Sequence, residues 1–220
     1  MNGSGSTSGS RDGLMLELAA AAARLIAEEG CDYATAKRKA AQAVLGDARA
    51  TGGLLPENER VEFELRRYLR TFGGDAHLAR LAELRAIALD LMELLAGFNP
   101  HLVGAVLNGT ATDHSNLHLH LFTDSAKDVE IFLLNEGMRF TVDEAREPAG
   151  ALEEIHLQLP RRLLQGRASA PGAILSVLPT DAVRIAPRFR SSDPSLSTVE
   201  KAGRAGLAAV RSLLASPPAA

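Results

Sequence analysis

The hydrophobic period changes at Pro100, and no other feature constrains the fold of this chain so strongly. Before it, apolar residues recur at helical spacing; after it, they alternate. Leu14 to Glu29 is an alanine-rich run closed by Gly30, and Thr35 to Leu45 is a shorter run with a basic start. Pro56 opens a third, with Val61, Leu65, Tyr68, Leu69 and Phe72 on one face, stopped by Gly73-Gly74. Asp75 is the expected N-cap of the longest helix, whose face is Leu78, Leu81, Leu84, Ala88, Leu91 and Leu95, ended by Gly97.

Beyond Pro100, Leu102 to Leu107 is a short apolar run and Gly109 to Ser115 a polar turn. Asn116 to Phe122 then alternates strictly: Leu117, Leu119 and Leu121 share one face, Asn116, His118 and His120 the other. Ser125 to Asn135 reads as a helix, and Arg139–Val142, Glu154–Leu159 and Ala173–Leu178 as strands. Val199 to Leu214 reads as a last helix. The expected fold is α+β: N-terminal helices leading into a small mixed β-sheet, closed by a C-terminal helix. The expected divisions are a disordered leader (1–12), a helical part (13–98), a sheet domain (99–190), and a C-terminal helix with a fraying tail (191–220).

Composition narrows the function classes. A 46% hydrophobic fraction supports a core, and a net charge of −3 excludes a globally basic nucleic-acid coat. The single cysteine, Cys31, forbids an internal disulfide and a cysteine-based zinc site, which suits the cytoplasm. The first ten residues have neither the basic nor the apolar region of a secretory signal. No run of about eighteen apolar residues occurs, so a membrane partner is not expected. Aromatics are only 4%, which disfavours stacking on nucleic-acid bases. Charge is uneven: from Arg161 onward nine basic residues stand against three acidic ones, a net +6, leaving −9 for the rest. Those arginines either face phosphates or pair with the acidic helical half. The phosphate-binding loop of kinases, the dinucleotide fingerprint, the hydrolase elbow and the His-Glu-x-x-His motif are all missing.

The chemistry-bearing stretch is Val106 to Phe122. A strand, a Gly-Thr turn and a second strand with polar groups at alternate positions bring backbone N–H groups and two side chains toward one phosphate chain. In this arrangement the stretch resembles the nucleotidyltransferase superfamily with the DNA-polymerase-β-type palm. Gly109-Thr110 stands at the family's Gly-Ser position, and Ser115-Asn116-Leu117-His118 at its Ser-Asp-x-Asp position. The resemblance covers roughly residues 80 to 185 and places the family's third carboxylate near Ile174. It implies a nucleotide partner held at Gly109, Thr110, Ser115, Asn116 and His118, with Arg184 as a phosphate partner. Both first-pair carboxylates are replaced, by Asn116 and His118, and Mg²⁺ requires hard anionic oxygens. A degenerate site is therefore expected, with no catalytic residue assigned and nucleotide transfer lost or inefficient.

Three alternatives remain open. Asn116 to Phe122 is also similar to the histidine-triad pattern with its first histidine changed to asparagine, which implies His118 as nucleophile on a nucleotide conjugate. Separately, His118 and His120 at i, i+2 on one strand face can chelate a divalent metal, the one cofactor these residues suggest, with His114 or Asp113 joining them. Finally, the apolar helical half can serve a protein partner, making the chain an interaction module. His77 and His101 are expected at the surface, and His156 approaches His118 if their strands are neighbours.

Overall fold

The computed structural model describes residues 6–46, 55–145, 150–167, 170–187 and 191–215. The chain divides into two compact units, Met1–His77 and Leu78–Ala220, with the division inside a helix.

The first unit packs α1 (Ser6–Glu29), α2 (Tyr33–Leu45) and α3 (Asn58–Tyr68) around a seam of small side chains. Ala19, Ala22 and Ala23 of α1 meet Ala36 and Ala40 of α2, and Val61 and Leu65 of α3 complete the core. Alanine carries no side-chain entropy into a helix and lets backbones approach closely. Asp32 caps α2, accepting from the Thr35 N–H at 2.9 Å. The Tyr68 hydroxyl donates to Glu28 at 2.7 Å, tying α3 to α1. Two expectations change here. α1 begins at Ser6, within the segment read as a leader, and residues 1–5 lie outside the described residues. Gly73-Gly74 does not stop the third run cleanly: a π-helical turn, Leu69–Gly73, leads straight into α4 (Gly74–Leu94). Asp75 thus sits in the first turn of α4 rather than at its N-cap.

The second unit is a six-stranded sheet backed by helices. Its strands are β1 (His101–Val103), β2 (Leu117–Phe122), β3 (Arg139–Asp143), β4 (Glu153–Gln158), β5 (Gly172–Leu178) and β6 (Ala205–Gly206). The order is β3-β4-β5-β2-β1-β6, with β2 and β5 parallel and every other pair antiparallel. The helices are α5 (Gly104–Asn108), α6 (Ala126–Asn135), α7 (Arg161–Leu164), α8 (Thr198–Lys201) and α9 (Leu207–Ala215). This is the α+β arrangement the sequence implies.

The core lies on one side of the sheet. Leu117, Leu119 and Leu121 of β2 are fully buried with Leu175 and Val177 of β5 and Leu84, Ile87, Ala88, Leu91 and Met92 of α4. Leu78, assigned to the same face of α4, is instead exposed. Leu102–Leu107 is not one extended run: β1 ends at Val103, and Gly104, at φ +70°, turns the chain into α5. The expected last helix is also broken. α8 stops before Gly203 (φ +73°), the chain adds the two residues of β6, and α9 follows. Residues 216–220, read as a tail, lie outside the described residues. No helix among the described residues is long and apolar enough to cross a membrane.

Candidate functional site

Strand alternation makes the second face of the sheet polar. Opposite the leucines, β2 presents His118 and His120, with Asn116 immediately before the strand, and the registers of its neighbours decide what stands beside them. One row across the sheet reads His101, His120, Ser176, Glu154 and Asp143. The next reads Val103, His118, Ile174, His156 and Thr141. Four of the six histidines in the chain therefore share one face.

Burial favours the neutral imidazole in three of them, His101, His118 and His120. Burial pushes His120 down to about 4, helped by the positive Arg204 and by neighbouring His101 and His118. Burial likewise lowers His101, against the hydrogen bond between its ring and the Asn99 carbonyl at 3.0 Å. His118 is lowered too: solvent reaches its ring, yet the protein around the strand removes enough water to outweigh the attraction of Glu154. His156 is held from both sides, with Nε2 at 2.9 Å from Glu154 Oε1 and 3.4 Å from Asp143 Oδ2. It does not reach β2 as a neighbour, because β5 lies between, placing the two strands roughly 10 Å apart. His101, expected simply at the surface, pairs directly with His120 and packs edge-on against Phe122, ring centres 5.1 Å apart. Arg204 lies over the same Phe122 ring at 5.0 Å, its guanidinium donating to the Val183 and Ile185 carbonyls.

The remaining candidates fall elsewhere. Gly109 (φ +83°) and Thr110 lie on the connection between α5 and β2, and the turn is closed on itself. Thr110 N–H donates to the Ala105 carbonyl and to Asn108 Oδ1, and its hydroxyl donates to the same oxygen at 2.7 Å. Ser115 Oγ accepts from Thr112 N–H at 2.8 Å. A carboxylate oxygen of Glu200 stands 3.8 Å from where a Gly109 side chain would begin. The Thr110 and Thr112 N–H groups and the Thr110 hydroxyl are thus engaged within the fold, and the Glu200 carboxylate lies beside Gly109. The glycine beside the polar face is a different one: a Cβ on Gly104, directly after β1, would lie 3.7 Å from His118 Cβ. Asn116 packs its amide over Gly172 of β5.

Arg184 is at the opposite end of β2. It belongs to a 3-10 turn, Thr180–Arg184, after β5, and lines an open cleft of about 560 Å³ with Asp124, Pro179, Thr180, Asp181 and Val183. Asp124 anchors that turn by accepting from Thr180 N–H at 2.9 Å. β2 spans about 17 Å between its ends, so Arg184 and the Gly109 turn do not converge on one phosphate chain. Much of the basic C-terminal third is used in packing. Arg167 pairs with Asp90 at 2.6 Å, Arg211 with Glu93 at 2.8 Å and Arg162 with Glu136 at 2.8 Å.

The donor set does not fit a divalent hard cation. Around Ser115 to His118 the face offers an amide, an imidazole and, directly beside His118, the aliphatic Ile174. Glu154 is already hydrogen-bonded to His156. Among the described residues no group of three or more His, Cys, Asp or Glu side chains converges as a metal site, so His118 and His120 gain neither His114 nor Asp113. Asp113 is instead 3.3 Å from Arg80.

No family model matches this chain, and neither a curated protein nor a solved structure does.

Proposed function

We propose that the sheet unit is a nucleotidyltransferase-like module whose metal site is degenerate, binding a nucleotide without efficient transfer. The observation that carries this reading is the row Val103, His118, Ile174, taken with Gly104 against His118. Strand, glycine, helix and strand follow one another, and the resemblance to the family's palm sets its carboxylate positions at Asn116, His118 and Ile174. Two-metal chemistry needs oxygen anions there, and an amide, an imidazole and an alkyl group supply none.

What remains suits recognition. Asn116 offers both a donor and an acceptor, and His118 and His120 are neutral near pH 7. An anion bound beside them favours the imidazolium form, so binding tightens as pH falls. The Gly109–Thr110–Ser115 turn then acts by holding β2 in place, while Arg184 serves the separate cleft. A cytoplasmic setting belongs to the same proposal and agrees with the single cysteine.

The test is thermal stability with nucleoside triphosphates, at pH 7.5 and about pH 6, with and without Mg²⁺ (or Mn²⁺, Ni²⁺ and Zn²⁺). A ligand at a hundred times its dissociation constant adds about 2.7 kcal/mol. The expected result is a nucleotide shift that is independent of Mg²⁺, larger at the lower pH, and lost in His118→Ala. A wild-type protein unmoved by any nucleotide would overturn the reading. A second reading, a histidine-triad-like hydrolase, is favoured by the neutral, solvent-reached His118. It requires that the protein cleave a nucleoside phosphoramidate and that His118→Ala abolish the cleavage.

A further inference from the structure

The two edges of the sheet are treated differently. β6 is only two residues long and is followed at once by α9, so it offers little backbone to another strand. β3, at the other edge, has five residues and pairs only with β4 among the described residues. Edge strands are usually blunted by charged side chains (lysine above all), proline, a bulge or a covering loop, and the two charges on β3, Arg139 and Asp143, are of opposite sign. β3 contains no proline or lysine, its register with β4 is unbroken, and Arg139, Thr141, Val142 and Asp143 are exposed.

The order of its residues shows what would fit. Arg139-Phe140-Thr141-Val142-Asp143 is self-complementary when laid antiparallel on itself. About a two-fold axis at Thr141, Arg139 faces the partner's Asp143, Phe140 faces the partner's Val142, and Thr141 faces itself. We propose that β3 is a docking edge for a second copy of this chain, joining two six-stranded sheets into one continuous sheet. Such an interface is isologous and closes after two copies, so it does not propagate into a filament. Both faces agree with it. Arg139, Thr141 and Asp143 lie on the polar face with His156, while Phe140 and Val142 lie on the helix side with Leu157 and Ile155. Asp143 stays 69% exposed despite its approach to His156, leaving the carboxylate available to an arginine. The helix leading into β3, α6, adds apolar surface on its own side, with Ile131 53% and Leu134 64% exposed.

The test is sedimentation equilibrium of the full chain over a wide concentration range, with folding checked by circular dichroism. Wild type is expected to dimerise. Arg139→Asp or Asp143→Arg each places like charges opposite one another twice, and each is expected to weaken the dimer about ten-fold or more. The double variant Arg139→Asp/Asp143→Arg restores opposite charges in both pairs and is expected to recover the wild-type dissociation constant. A wild type that stays monomeric, including one whose edge takes up a different strand, overturns the proposal. So do folded single variants that dimerise normally, or a folded double variant that does not recover. If a variant fails to fold, hydrogen exchange of the wild type decides: β3 amides must become protected as concentration rises, and unchanged protection overturns the proposal.

Discussion

Arg85 of α4 and Glu200 of α8 meet at 2.8 Å beside Gly109, joining parts of the chain 115 residues apart. Arg85 also donates to the carbonyls of Val106 and Leu107, inside the short α5. One buried guanidinium therefore fixes the helix before the connection to β2 and the helix that precedes β6.

Removing Arg85 should be costly. Arg85→Ala removes the donor of two carbonyl groups and leaves Glu200 its Ser197 N–H bond but not that guanidinium, and loss of one member of a buried pair costs roughly 3–5 kcal/mol. Glu200→Gln keeps an acceptor for the guanidinium and should cost less. Burial raises the Glu200 carboxyl, but Arg85 and the Ser197 cap outweigh it and hold the group below its ordinary value of 4.5. A depressed carboxyl stabilises the fold above its unfolded value and loses that contribution as pH falls through the folded value. Urea unfolding should show acid loss below about pH 4.5 that is shallower in Glu200→Gln.

The histidine row predicts a second, separate pH dependence. His120 is pushed from 6.5 down to about 4 in the fold, so the unfolded chain binds its proton first. Stability is then complete above pH 6.5 and falls as pH drops toward 4. His101 and His118 are lowered as well and add to the slope. His120→Gln should therefore flatten the decline in urea midpoint between pH 6.5 and pH 4.5 by up to one proton's worth, while leaving a residual slope from the other two.

Gly172 and Asn116 should couple. A Cβ at position 172 would meet Asn116 Oδ1 at 2.9 Å, closer than real contacts allow, so Gly172→Ala must push the amide aside. The expected cost is about 1 kcal/mol, since the displaced group is the end of a side chain. In an Asn116→Ala background the obstruction is gone, and alanine suits a strand better than glycine. A double-mutant cycle should return a coupling of about 1 kcal/mol or more; additive effects would mean that Asn116 does not lie over Gly172.

How much of this the sequence shows depends on the length and locality of each signal. β2 was legible because six residues half-buried in a sheet must alternate, and α6 because Ser125 caps it and Gly137 follows it. β1 and β6, with three and two residues, are too short to display a period. Around β6 the apolar residues continue at helical spacing, and only Gly203 marks the break. The polar face was half legible. Asn116, His118 and His120 share a face by local geometry alone, but His101 joins them through a register set by strands distant in sequence. The bonding within the Gly109-Thr110 turn was not legible, for a local reason. Asn108, a residue before the glycine, takes up the donors that a phosphate would need. Gly104 carried no signal in an apolar run, although it is the glycine that the structure sets against His118.

The degenerate-site reading makes a constructive prediction. Asn116→Asp with His118→Asp places two carboxylates at alternate positions on one face of β2, and Ile174→Asp adds a third directly beside position 118. Without metal these charges repel, and like charges on neighbouring strand positions cost up to about 1 kcal/mol each. The triple variant should therefore melt below wild type in chelator. With Mg²⁺ the repulsion becomes a ligand set, and saturating metal at a hundred times its dissociation constant returns about 2.7 kcal/mol. Calorimetric melts with chelator, Mg²⁺, and Mg²⁺ plus a nucleoside triphosphate separate the outcomes. A melting temperature that rises with Mg²⁺ only in the variant, and rises again with nucleotide, is expected if β2 and β5 carry a palm whose carboxylates were replaced. A variant that folds but ignores Mg²⁺ would mean that positions 116, 118 and 174 do not converge on an ion, and the nucleotidyltransferase-like reading would fall with it.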